Sequence, residues 1–483
     1  MTFSLNAILI LSLAAGIYRL LPVKWRGWFL YGGSIIALYW LQPFLPIRFS
    51  GFILPSLTLA LTAVTWHLTR LHNYQTTHED WQALALMVGL VLSLSLLRFV
   101  PAAYNPVANR PPQPLLVSAF ISLTVIAFLL VRRGQFRTLL TKVGATNGAI
   151  LVIVLLFIML KSEALAVGIS RFWRSLTTQD PAIASPLDLA WLGFSYIAFR
   201  LIHTLRDRQM GLLPALSLRE YITYVIFFPA IIAGPIDRAE RFVQDLRALP
   251  ELVGWDATRF YQAFNRIVVG LLKKFIIADS LAQGLSLTPA SAAQATSTVG
   301  LWVLLYGYAL RLYFDFGGYT DIAIGIGLLF GVQLPENFRR PYQQTSLTAF
   351  WQSWHITLSN WVRFYVFSPL SRHLLRRKPR LSPIGIVLIT QNTTMIVIGL
   401  WHGISLNFLI WGLWHGLGLF AHKQWSDRTR HWYRASQTRP WMRRLWSFTA
   451  WFLTFHYVVL GWVWFLLPDT NLALETFARL FDL

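Results

Sequence analysis

The sequence predicts an all-α, polytopic membrane protein. Three observations carry that expectation: apolar runs recur along the whole chain, basic residues sit between the runs, and tryptophan is abundant. Of 483 residues, 55% are hydrophobic and 22 are tryptophan, and the mean hydropathy is +0.51. An ordinary soluble domain is far less apolar. A helix needs about 20 apolar residues to cross a hydrocarbon core of about 30 Å, and counting such runs gives about 10–12 crossings.

The runs at 4–22, 27–46, 50–68, 82–100, 114–131 and 147–168 have short loops and few internal polar residues. They read as an N-terminal scaffold, residues 1–170. The first run carries Lys24 and Arg26 after its apolar core and has no basic segment before it, the pattern of a retained helix and not of a secretory signal.

From 187 onward polar, Gly and Pro residues interrupt the runs, which fall at 187–205, 221–236, 297–316, 384–400, 404–421 and 447–467. This region, 187–467, reads as the functional core, with a short tail at 468–483. "FFPAIIAGPIDRAERF" (227–242) sets Pro229, Gly234 and Pro235 close together. Proline lacks a backbone donor, so a broken or re-entrant segment lining a protein cavity is expected there. Two stretches, 256–285 and 347–371, have helical apolar spacing with polar residues opposite, Lys273 and Lys274 in the first, and read as interfacial amphipathic helices.

The chain carries 42 Lys and Arg against 20 Asp and Glu, a net charge of +22. A nucleic-acid partner is not implied, because the basic residues lie in loops between apolar runs. Lys24 and Arg26, "RRGQFRTLLTK" (132–142), the arginines 200, 206 and 208, "LLRRKPR" (374–380) and "HKQWSDRTRHWYRASQTRPWMRRLW" (422–446) mark cytoplasmic segments instead. Tryptophan suits the two interfacial belts. There is no cysteine, which removes disulfides, cysteine-ligated zinc and any acyl-cysteine intermediate on this chain.

Several stretches can carry chemistry. "YALRLYFDFGGYTDIAIGIGLLFG" (308–331) places Arg311, Asp315 and Asp321 in an apolar run. Arg311 and Asp315 lie one helical turn apart and can pair. A charge in the membrane costs about 2.5–3.5 kcal/mol, so these groups should face a partner or a wet cavity. The DFG within the run lacks the companion motifs of a kinase. His355 follows Trp354 in "FWQSWHITLSNW" and has a structural reading, a hydrogen-bonded imidazole on an aromatic face. "IGLWHGISLNFLIWGLWHGL" (398–417) holds His402 and His415 in a nearly apolar segment. An imidazole there is neutral by desolvation and keeps a free nitrogen, the requirement for a general base, although two packing histidines fit the spacing equally well. Gly403 permits close approach of a ligand, and Asn407 can orient a carbonyl or the histidine. A serine nucleophile lacks the Gly-x-Ser-x-Gly elbow.

Taken in order, "YFDFGGYTDIAIGIGLLFGVQLPENFRRPY", "FWQSWHITLSNWVRFYV" and "GLWHG" with Asn407 resemble the membrane-bound O-acyltransferase family. The resemblance is to the bacterial branch of alginate O-acetylases and teichoic-acid D-alanyl transferases, and it covers about 190–467. It implies helices around a central funnel or tunnel, with His402 catalytic and His355 supporting it near mid-bilayer. Asn407, Asp315, Trp354 and Asn337 are the substrate-binding candidates that accompany them. "GPIDR" (234–238) leans to the D-alanyl branch and "GYTDIAIG" (318–325) to the alginate branch. The chain departs from the family at Gln352 and Ser353, where an arginine pair is common, and at Phe364, where an aspartate is common.

The function expected from this resemblance is transfer of an acyl group, acetyl foremost, to a hydroxyl of a cell-surface polysaccharide or partner protein. The donor would be a cytoplasmic thioester, acetyl-coenzyme A or a carrier's phosphopantetheine, with no tightly bound cofactor and no metal. Expected partners are membrane lipid, the donor or its carrier, and a surface acyltransferase or glycan, in a bacterial plasma membrane. Two rivals stand beside it: D-alanyl transfer to an envelope polymer, and a transporter or flippase for a lipid-linked sugar with its intramembrane charges along the path. A structural subunit of a glycan-export complex is a third.

Overall fold

The computed structural model describes residues 4–71, 73–101, 104–107, 109–133, 142–251, 256–379, 381–436 and 438–482. The basic stretch at 132–142 lies largely outside them, as does Arg380. Helices account for nearly all regular structure, and among the described residues the one β-bridge joins Phe338 to Trp354. The chain divides into two compact units, residues 1–263 with 323–334, and residues 264–322 with 335–483.

The first unit holds α1 (Leu5–Leu20), α2 (Val23–Trp40), α3 (Ser50–Thr69), α4 (His78–Ser95), α5 (Pro114–Arg133), α6 (Lys142–Lys161), α7 (Glu163–Leu176), α8 (Phe194–Gln209), α9 (Leu218–Val225) and α10 (Ala239–Ala248). Their starts are chemically marked. Thr77 with Asp80 and Ser217 with Glu220 form capping boxes at α4 and α9. Asp80 is buried, accepts from Tyr74 Oη at 2.8 Å, and accepts from the backbone N–H of Leu218 at 2.8 Å. One carboxylate thereby organises two helix starts.

Two expected spans differ in the structure. The run at 187–205 is preceded by 3-10 turns at Pro181–Ile183 and Pro186–Leu189, and its helix begins only at Phe194, after Gly193 at φ +66°. Pro186 and the left-handed glycine interrupt the pattern that apolarity suggests. The run at 147–168 breaks at Ser162, where α6 gives way to α7. The segment 221–236 is broken as expected: α9 stops at Val225 and a 3-10 turn follows at Phe228–Ala230. Arg200 of α8 donates to the carbonyls of Val225 (2.9 Å) and Ala230 (3.0 Å), satisfying acceptors the break releases.

The second unit contains most of α11 (Ala257–Leu271), which continues through a π-helical turn at Leu272–Ala278, and most of α12 (Thr298–Leu329). It continues with α13 (Leu347–Trp351), α14 (Ile356–Val362), α15 (Ser368–Arg376), α16 (Pro383–His402), α17 (Leu406–Ser436), α18 (Pro440–Leu466) and α19 (Thr470–Leu480). α12 is one helix through Asp315 and Asp321, longer than the run at 297–316. The stretch 347–371 is not one amphipathic helix: it breaks between α13 and α14, at His355.

Glycines set the α16–α17 packing. A Cβ on Gly412 would lie 2.7 Å from the carbonyl oxygen of Met395 and 2.8 Å from Cα of Ile396. The helix backbones therefore touch, which van der Waals packing in a membrane favours. Among the described residues five helical stretches, 50–69, 78–99, 144–161, 383–402 and 440–466, are long and apolar enough to cross a membrane. The protein is a multi-pass, all-α membrane protein.

Candidate active site

Each histidine is placed by a local break. α16 ends at His402, because Gly403 leaves the helix in an extended conformation. The freed imidazole packs edge-on to Trp401 (centroids 4.5 Å) and Phe465 (4.7 Å), with Trp411 at 5.7 Å and Phe408 at 5.9 Å. It is only partly buried. His355 sits between α13 and α14 with φ 42° and ψ 54°. A left-handed backbone at a non-glycine residue costs about 1–3 kcal/mol and persists only where the surroundings enforce it.

Asn337 supplies that enforcement. It is fully buried, its carbonyl accepts from the N–H of Ile356 at 3.0 Å, and its Oδ1 accepts from Thr357 Oγ1 at 2.6 Å. The N–H of Arg339 donates to the carbonyl of Ser353 at 3.0 Å, and the Phe338–Trp354 bridge completes the clamp. The segment 337–339 therefore holds both sides of His355. The imidazole itself is buried against Phe316 (4.8 Å) and faces Trp401 at 6.1 Å. His355 and His402 thus meet the same indole. Trp401, Trp411 and Phe465, apolar residues that carry no titratable group to mark them in the sequence, form the wall between and behind them.

The remaining candidates occupy varied positions. Trp354 is buried among Phe338 (5.1 Å), Trp462 (5.2 Å), Phe350 (5.6 Å) and Tyr342 (5.6 Å). Asn407 is engaged at both ends of its amide: Nδ2 donates to the carbonyl of Leu467 and Oδ1 accepts from Thr470 Oγ1, each at 2.6 Å. It ties the start of α17 to the start of α19. Asp315 pairs with Lys274 at 2.8 Å, and not with Arg311 as the one-turn spacing suggests. The π-helical turn brings both lysines against α12, since Lys273 reaches Asp321 at 2.6 Å. Arg266 holds the other oxygen of Asp321 at 2.5 Å and also pairs with Glu336. Asp321 is therefore a buried ion-pair centre that fastens α11 to α12, and Glu336 links that centre to the segment carrying Asn337.

His415 lies deeper, fully buried between Trp411 (4.9 Å) and Trp351 (5.1 Å). Neither ring nitrogen finds a hydrogen-bond partner among the described residues, and Trp411 stands between it and His402. Among those residues no three His, Asp or Glu side chains gather as a metal-holding group. A cavity of about 510 Å³ in the first unit, lined by Phe52, Leu59, Trp66, Trp81 and Met87 among others, is almost wholly apolar and brings together no set of reactive groups.

The fold is that of a many-helix membrane protein with two histidines on one aromatic wall, and comparison with known proteins gives its class and family. Residues 36–467 match the model of MBOAT, the membrane-bound O-acyltransferase family, and the chain belongs to it. It is an O-acyltransferase. The teichoic acid D-alanyltransferase of Bacillus subtilis is 29% identical over 62% of this chain and 74% of its own length. The peptidoglycan O-acetyltransferase of Helicobacter pylori is 32% identical over 53% of this chain and 45% of its own. A probable alginate O-acetylase of Pseudomonas syringae is 34% identical over 60% and 52% respectively. The match spans about half the length of the two acetyl-transfer relatives.

Proposed function

We propose that the protein transfers an acyl group, acetyl foremost, from a cytoplasmic thioester to a hydroxyl of a cell-envelope glycan or of a partner protein, with residues 187–467 as the catalytic core. The observation carrying this reading is the meeting of His355 and His402 at Trp401. His402 takes the proton of the acceptor hydroxyl, and the alkoxide oxygen attacks the thioester carbonyl. The tetrahedral intermediate collapses with loss of the thiolate, which takes up the proton held on His402. His355 stabilises the oxyanion or positions the donor. Asn337 and Trp354 keep His355 in place, Asn407 braces the helix start beside His402, and Asp315 belongs to the polar wall.

A D-alanyl group carried on a phosphopantetheine thioester is the second reading, favoured by the long match to the Bacillus transferase. Both readings are tested by following radiolabelled acetyl-coenzyme A, then a D-alanyl carrier, into envelope polymers with wild-type and His402→Ala membranes. Label that appears with either donor and disappears in the variant supports transfer through His402. Transfer that persists undiminished in the folded variant defeats that assignment.

A further inference from the structure

The α17–α18 hairpin extends past the start of α16. α16 and α17 run antiparallel, with Gly399 against Phe408, Met395 against Gly412 and Asn392 against Gly416. Carried along that register, Pro383 at the start of α16 falls opposite the neighbourhood of Trp425. α16 is just long enough to cross the hydrocarbon core, so its start lies at or outside the bilayer edge. The rest of α17, to Ser436, runs on for about 16 Å at 1.5 Å per residue. The headgroup layer is only about 5–7 Å thick on each side. Trp446 packs against Trp425 (6.4 Å) and Trp432 (5.2 Å), so the two helices stay paired through this extension.

Its outer surface is exposed nearly throughout. Arg428, Arg430, Arg434, Arg439, Arg443 and Arg444 crowd there, and among the described residues no carboxylate pairs with any of them. Asp427, the sole acid between 421 and 448, is taken by Lys423. Trp432 and Trp441 are 49% and 61% exposed beside the arginines. Trp, Tyr and Arg are the residues that dominate binding energy at protein interfaces, and the arginine fork matches carboxylates in pairs. Six like charges repel one another, a repulsion that carboxylates from outside would relieve.

We propose that this outer end of the hairpin is a docking surface for the acidic face of a soluble protein on the cytoplasmic side. Arg428 sits about 4.5 Å past Trp425, within the headgroup layer, whereas Arg434 at about 13 Å and the turn beyond it lie past the headgroups, a reach that selects a soluble partner over the lipid surface. The proposal is independent of the acyl group and of His402, and stands or falls separately from them.

The absence of native cysteine allows one environment-sensitive dye at Ala435→Cys in the full chain, placed in phosphatidylcholine nanodiscs. The probe is a synthetic helical peptide with glutamates flanking a leucine patch, with its lysine counterpart as control. The glutamate peptide is expected to shift the dye. Its Kd should rise about tenfold or more in the Arg430→Ala, Arg434→Ala, Arg443→Ala, Arg444→Ala variant and again as salt rises. Trp441→Ala should weaken binding while preserving the salt dependence. In cells, a photo-cross-linker at position 441 should capture a protein whose purified form shows the same loss with the arginine variant. Equal binding by wild type and variant overturns the proposal. So does quenching of the dye by brominated phosphatidylglycerol that the arginine substitutions relieve, which would give the tip to the lipid surface. The four arginines are exposed, and an unchanged melting temperature verifies that the variant is folded.

Discussion

The imidazole of His355 lies 6.1 Å, centroid to centroid, from the indole of Trp401, and His402 follows that indole in the chain with its own ring at 4.5 Å. Trp401 is a shared wall, so changes in it should reach both histidines. Trp401→Ala is expected to lower kcat by about 10-fold or more, the scale of a small misplacement of catalytic groups. Trp401→Phe, which keeps a flat ring, should recover most of it. Steady-state kinetics of the two variants at matched expression tests this, and equal activity in all three proteins would remove Trp401 from the site.

The two histidines should separate on stability. His402 is partly exposed at a helix end, so His402→Ala should cost about 10²–10⁴-fold in activity with little change in melting temperature. His355 is buried against Phe316, and His355→Ala should lower activity and also stability by about 2 kcal/mol. Thermal unfolding in detergent alongside transferase assays distinguishes them.

Asn337 holds the left-handed turn at His355. Asn337→Ala strips Thr357 Oγ1 of its acceptor and should cost about 1–3 kcal/mol together with activity. Asn337→Asp keeps that acceptor and should restore more of the activity than alanine does. Identical behaviour of the two variants would mean that the side-chain oxygen does not set the turn.

Asp321 lies between Arg266 and Lys273. Asp321→Asn leaves two half-buried cations facing a neutral group and should destabilise by about 3 kcal/mol. Adding Lys273→Met should return part of the loss, since one stranded charge is then gone. A double-mutant cycle measures the coupling, and strict additivity would show that the pair is not energetically linked.

At Gly412 an added methyl meets helix backbone at 2.7–2.8 Å and nothing flexible can yield. Gly412→Ala should therefore separate α16 from α17, displace His402 and lower both stability and activity. At Gly461 the nearest obstacle is the His415 ring, at 2.9 Å. The damage from Gly461→Ala should accordingly be smaller in a His415→Ala background than in wild type.

By itself the sequence determined the membrane class, the helical content, a break within 221–236 and, through the family resemblance, the candidates His355 and His402. The first three rest on local physics, apolar length against bilayer thickness and proline's missing donor, whereas the two histidines were singled out by the resemblance of their motifs to the acyltransferase family. Tertiary structure alone decided which partners those residues take. Asp315 chose Lys274 over Arg311, a residue one turn away, because the π-helical turn after Leu271 carries the lysines to α12. The amphipathic pattern at 347–371 concealed a break, because Asn337, fixed elsewhere in the chain, stabilises a backbone conformation at His355 that local propensity disfavours. His402 and His415 look alike in sequence, each followed by glycine. The family motif singles out His402, and packing supplies the physical difference, since a helix end opens one ring to a site and a cage of indoles closes over the other.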